Sequence, residues 1–196
     1  MSKISWGKPR IFVKDVDASP AANAYELATP IENSTQLTAT KGEKLEAKIE
    51  GGENEDVKYK HSTYTLVFNI RKAKGRRSPF PTKDGVVNNH YAIMLQPEDP
   101  SCEGFYIASG TVSVDDVFTT AEGAVWQVTY DAVASKTSDT VKWGLVQFTN
   151  AEETALKFQE RSSLEYGGTA VVENWTVNFN ANTNGHAGSD SSEDDD

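Results

Sequence analysis

The clearest pattern in the chain is a period of two. Tyr64, Leu66, Phe68 and Ile70 fall on one side of residues 63–71, and Thr63, Thr65, Val67, Asn69 and Arg71 on the other. Such alternation marks a strand with one face against a core. The strand is read as a long one, beginning near Val57. Before it, Leu45, Ala47 and Ile49 alternate with Lys44, Glu46, Lys48 and Glu50, which predicts a half-buried strand, and Gly51 and Gly52 mark the turn between the two. Residues 9–16 read as a first strand, with Ile11 and Val13 opposite Phe12 and Lys14. Residues 17–33 carry Asp17, Pro20, Asn23, Pro30 and Asn33, which is loop chemistry. Further strands are predicted at 34–40, 90–96, 104–114, 124–133, 140–148 and 169–180. Trp126, Trp143 and Trp175 sit among apolar neighbours and are expected in the core.

One segment reads differently. Residues 150–162 offer Asn150 as a cap, Glu153 three positions on, a Glu153–Lys157 pair at helical spacing and a thin stripe of Ala151, Ala155 and Phe158. The expectation is a helix, with a strand carrying Leu156 and Phe158 as the alternative. Eight or nine strands with one flanking α-helix predict a mainly β fold, an antiparallel β-sandwich or barrel. The domain is expected over residues 9–180. An arm precedes it over 1–8, where Trp6 either packs on its own domain or anchors to a neighbour. An acidic tail, 181–196, has no apolar content to bury and is expected to be disordered.

Charge sharpens the picture. The net charge is −10, but Asp190, Glu193, Asp194, Asp195 and Asp196 supply half of it. No acid lies between Asp56 and Asp84, while Lys58, Lys60, Arg71, Lys72, Lys74, Arg76, Arg77 and Lys83 do. Eight of the nineteen basic residues thus share one stretch of an acidic protein. The loop at 72–86 contains Gly75, Pro79, Pro81 and Gly85, and proline cannot continue a ladder. Loops of this length in compact domains usually have a task or are mobile. Three readings stand: a solvated loop, a nucleic-acid contact, and a contact with an acidic surface of another protein. The acidic body and the sparse aromatics (only Phe80 lies in the loop) weigh against nucleic acid. A subunit basic at one place and acidic at another suits head-to-tail contact between copies. Arg71, Lys72, Lys74, Arg76, Arg77 and Lys83 are therefore the expected inter-subunit contact.

No catalytic constellation assembles from the sequence. His61, His90 and His186 lack zinc-ligand spacing, and Cys102 has no nearby histidine. Phosphate-binding and nucleophile-elbow motifs are absent. The cluster Glu53, Glu55 and Asp56 lacks the spacing of a calcium loop. No enzyme activity, metal or cofactor is expected. The longest apolar run, 91–95, is far below the ~20 residues of a spanning helix, so no membrane is expected either.

Several segments resemble the major tail tube protein of long-tailed bacteriophages and prophages of Bacteroidetes hosts. They are TKGEKLEAKIEGGENEDVKY (40–59), TYTLVFNIRKAKGR (63–76), LQPEDPSCEGF (95–105) and TVSVDDVFTTAEGAVWQVTYDA (111–132). The resemblance implies a structural virion protein assembled in the bacterial cytoplasm. Its copies would join into rings, six to a ring, that stack into a tube. Other tail proteins would be partners, and DNA would pass through without specific binding. The family's long loop, here 72–86, would reach a neighbouring subunit. Lys44, Glu46, Lys48 and Glu50 would be a face of the lumen or, equally, the solvated outside of the sandwich. The acidic tail has no counterpart in that family. The competing readings are another virion β-domain, such as a tail terminator or capsid decoration protein, and a glycan-binding sandwich.

Overall fold

In a computed structural model, residues 7–48, 50, 54–121, 123–135, 138–161 and 170–178 are described. Trp6, the Gly51–Gly52 turn and the acidic segment 181–196 lie outside the described residues. The described residues form β1 (Arg10–Asp15), β2 (Ala24–Glu26), β3 (Gln36–Thr40), β4 (Lys44–Lys48), β5 (Asn54–Tyr59) and β6 (Thr63–Arg71). After the basic loop come β7 (Tyr91–Gln96), β8 (Gly104–Thr119), β9 (Gly123–Ala132), β10 (Val141–Phe148), β11 (Ala155–Glu160) and β12 (Val172–Asn178). The fold is mainly β, as the alternation predicts.

The pairing order β10-β11-β12-β2-β1-β7-β8 returns to its start, because β8 also pairs with β10. Seven strands thereby close into a barrel. All its pairings are antiparallel except β12 with β2, so the sheet is mixed. Each wall strand sends alternate side chains inward, among them Phe12, Met94, Tyr106, Val146, Phe158 and Trp175. Closure removes the barrel's edges.

Strand β8 belongs to two sheets. Residues 104–107 lie between β7 and β10, whereas from Gly110 onward the strand pairs with β9. Strands β9, β6 and β3 come next in the pairing order and form a second layer. That layer covers the barrel's outer wall: Leu66, Phe68, Val128 and Tyr130 share a second core with Ile11, Val13, Ile93 and Ile107. Strands β1 and β7 are therefore buried on both faces. This explains why Ile11, Phe12 and Val13, and Tyr91 through Met94, are unbroken apolar runs. Gly110 marks the place where β8 leaves the barrel. A Cβ there would lie 2.3 Å from the Tyr130 ring, whose hydroxyl donates to the Tyr91 carbonyl at 2.7 Å.

Four expectations are corrected. First, no helix forms at 150–161; β11 runs through it, with Leu156 and Phe158 inside the barrel. Asn150 does cap, but it caps a turn: its Oδ1 accepts from the amides of Thr154 and Ala155 at 3.1 and 3.0 Å. Glu153 has a left-handed φ of 55°, which no right-handed helix can contain. Second, the long strand from Val57 is two strands, broken at 60–62. Third, the loop at 17–33 holds the short strand β2, which the closed barrel requires and whose three residues carry too little pattern to read. Fourth, Trp126 and Trp175 are core, but Trp143 is 50 % exposed on the barrel's outer wall, edge-on to Phe105. The reason is coverage: the second layer lies over β1 and β7 and leaves this side of β10 open.

Candidate functional site

Strands β4 and β5 pair with each other and with no other described strand. They form a ribbon inserted in the chain between β3 and β6, which are themselves neighbours. Gly42 stands at its base: a Cβ there would lie 2.0 Å from the Lys60 carbonyl oxygen. The base is closed by the Lys60 amide donating to the Glu43 carbonyl at 2.9 Å and by a Lys60–Glu43 ion pair.

The half-buried strand expected at 44–50 is not what forms. Lys44 opposes Tyr59 and Glu46 opposes Val57, while Leu45 opposes Lys58 and Ala47 opposes Asp56. Directly opposed residues share a face. The apolar side of β4 thus meets the charged side of β5, and both faces of the ribbon are mixed. Leu45, Val57 and Tyr59 are 45 %, 42 % and 50 % exposed. Of the four candidate lumen residues, Lys44 and Glu46 form an ion pair with each other on one face. Lys48 is the last residue of β4, and Glu50 is an exposed turn residue. They belong to the ribbon and not to the barrel wall. Beside the ribbon, β3 pairs with β6 alone among the described strands and is largely exposed.

The basic loop behaves otherwise. From Pro79 onward it lies across its own domain. Phe80 is 1 % exposed in the core and meets the Tyr91 ring edge to face at 4.9 Å. Tyr25 donates its hydroxyl to the Pro79 carbonyl at 3.1 Å, and the Val114 amide donates to the Gly85 carbonyl at 3.2 Å. The six basic candidates divide accordingly. Lys72 pairs with Asp116 at 2.5 Å and lies over the Trp126 ring. Arg76 is half-buried and donates to the Arg71 carbonyl at 3.0 Å. Arg71, Lys74, Arg77 and Lys83 are exposed. The structure thus keeps a basic surface but anchors the loop that carries it; the element standing clear of the domain is the ribbon.

Several polar groups were not legible from spacing. At one end of the barrel Arg10 makes two-pronged hydrogen bonds to both Glu26 and Glu153, at 2.8 to 3.1 Å. The Glu26 hydrogen bond holds the Arg10 guanidinium above its ordinary range, and Arg10 in turn lowers the Glu153 carboxyl. The two carboxylates lie 16 and 143 positions from Arg10, and no local pattern links such distances. Lys142 is buried with its ammonium 5.6 Å from the Tyr106 ring centre. Elsewhere, His90 meets Asp17 at 2.8 Å, and the backbone amide and ring of His90 lower the Asp17 carboxyl. Among the described residues, no three His, Cys, Asp or Glu side chains gather closely enough to hold a metal ion. Cys102 is a buried free thiol.

No protein-family model matches the chain, and no curated protein matches its sequence.

Proposed function

We propose that this chain is a structural subunit that assembles with copies of itself, and that its role is that of a major tail tube protein of a long-tailed bacteriophage. The observation that carries the reading is the ribbon. An isolated two-stranded hairpin is at best marginally stable in water and needs packing against something else. This one presents Leu45, Val57 and Tyr59 to solvent, next to the exposed strand β3. A neighbouring copy pairing along β3 and seated on the ribbon face that carries Val57 and Tyr59 would cover those side chains and satisfy the edge amides, and Leu45 on the opposite face would meet a second neighbour. Stacked rings made this way give the conduit for DNA, and the acidic balance of the chain repels phosphate from the wall. The basic residues Arg71, Lys74, Arg76, Arg77 and Lys83 meet acidic surfaces of an adjoining subunit, and other tail proteins cap the ends. Shape and charge do the work; no catalysis, cofactor or membrane takes part, and the protein resides in the virion after assembly in the host cytoplasm.

A glycan-binding sandwich would present a row of exposed tryptophans, yet of Trp126, Trp143 and Trp175, Trp143 alone is exposed. Electron microscopy of the purified protein tests the proposal. Rings or tubes are expected from the unaltered chain. Leu45→Ser, Val57→Ser and Tyr59→Ser together should abolish them while leaving the far-ultraviolet spectrum and the unfolding midpoint of the barrel in place. Unaltered protein that sediments only as a monomer at high concentration refutes the reading. Arg76→Glu with Arg77→Glu should shorten or block tubes; normal tube length in that variant removes the loop from the contact.

A further inference from the structure

A cavity of about 370 Å³ opens between the basic loop and β2. Arg76, Arg77, Ser78, Asn23, Tyr25 and Asp15 supply its polar lining. Asp15 is already engaged: its carboxylate accepts from the Asn89 side chain at 2.7 Å and from the Asp17 amide at 2.9 Å. The chain's last described residue touches two of the lining residues. Asn178 pairs with Tyr25 in register, and its side-chain oxygen accepts from the Asn23 amide group at 3.3 Å. The sequence beyond Asn178 is acidic: Asp190 and Glu193 through Asp196 lie there, with no lysine or arginine anywhere after Arg161.

We propose that this cavity is a binding site for an acidic peptide segment, and that its occupant is the chain's own residues 190–196. Position and charge both select that occupant. From Asn178 to Asp190 is twelve residues, a span of up to about 40 Å, enough to bring the carboxylates onto the Arg76 and Arg77 guanidiniums. Tethering so close to the site gives an effective concentration on the order of millimolar, which makes even exposed ion pairs count. Arginine suits carboxylates because its fork of donors matches two oxygens at once. Docking in cis occupies the same arginine pair that the tube reading assigns to neighbouring subunits. The segment then restrains assembly until a neighbour displaces it. That consequence rests on the proposed function, whereas the docking itself does not.

The test uses the full chain, dilute enough to sediment as a monomer. Ser191→Cys carries a nitroxide, in a Cys102→Ala background so that a single thiol is labelled. Amide signals of Arg76, Arg77 and Ser78 are expected to lose most of their intensity, while those of Lys58 and Lys60 on the ribbon keep theirs. Mixing labelled chains with unlabelled isotopic chains should show no loss, which identifies the contact as intramolecular. Raising salt from ~0.01 M to ~1 M shortens the screening length from about 30 Å to about 3 Å and should restore the signals. Arg76→Glu with Arg77→Glu should restore them as well. Signals of Arg76 to Ser78 that stay sharp, or loss that survives the charge reversal, overturn the proposal. Docking without tubes would refute the tail tube reading alone, and tubes without docking would refute this inference alone.

Discussion

Phe80 shows how one residue decides what a loop can do. Proline on both sides and a run of basic residues mark 72–86 as an irregular, solvated stretch. A single phenyl ring pushed against Tyr91 turns half of it into a cover over its own core. Fully buried phenylalanines replaced by alanine cost about 3–5 kcal/mol. Phe80→Ala should lower the unfolding free energy by that order, measured in denaturant. It should also expose the Arg76–Arg77 bond to trypsin faster than global unfolding explains. Equal protease rates in both proteins would mean that Phe80 does not anchor the loop. The same scale explains the missing helix. Asn150, Glu153 and Lys157 satisfy the local rules for a helix start, yet Glu153 takes a left-handed backbone and reaches back to Arg10. Leu156 and Phe158 complete the barrel wall only as a strand. Burial of two large side chains, about 1.5–3 kcal/mol each, outweighs the ~1 kcal/mol of a cap and the few tenths of a spaced ion pair.

Among the elements, the ribbon and the doubly covered strands stand at opposite extremes. Strands β1 and β7 announce themselves by continuous apolar runs because both faces are covered. Strand β4 announces itself by alternation, and yet it is solvent-exposed on both sides, because its partner β5 presents the opposite alternation in this register. Alternation reports that a strand has two unlike faces; it does not report which face its partner will match. Gly42 sets the ribbon's direction, since no side chain fits beside the Lys60 carbonyl. Gly42→Ala should strain the ribbon's base, costing about 1–3 kcal/mol as overpacking usually does, while the circular dichroism of the barrel stays unchanged. It should nevertheless reduce tube formation, read by sedimentation, by swinging the ribbon from its docking angle. A Gly42→Ala chain that assembles as before would show that the ribbon's direction is immaterial.

For the whole molecule, the tyrosines set a limit in alkali. Burial pushes the Tyr91 hydroxyl up to about 12, and it raises Tyr25, Tyr106 and Tyr130 beyond that. In the unfolded chain these groups ionise near 10. Between pH 10 and about 12 the unfolded state therefore sheds protons that the folded state keeps, and stability falls as pH rises. Four such groups together remove up to roughly 5 kcal/mol per pH unit. Below pH 10 both states hold these protons and the effect vanishes. The expected outcome is a cooperative loss of the near-ultraviolet circular dichroism above pH 10, coincident with the rise of tyrosinate absorbance. Tyrosinate appearing well before the fold is lost would contradict the buried placement of these hydroxyls.

That the chain is mainly β, where most of its strands run, and which segments concentrate positive and negative charge can all be read from the residues in order. These rest on nearest-neighbour facts: alternation, proline and glycine punctuation, and local charge. The closing of seven strands on themselves, the sharing of β8 between two sheets, the gathering of two distant carboxylates by Arg10 and the strand at 155–160 are visible only in the folded chain. Each of these depends on pairing between residues far apart along the chain, where the burial gained by closing a wall outweighs what any local window prefers.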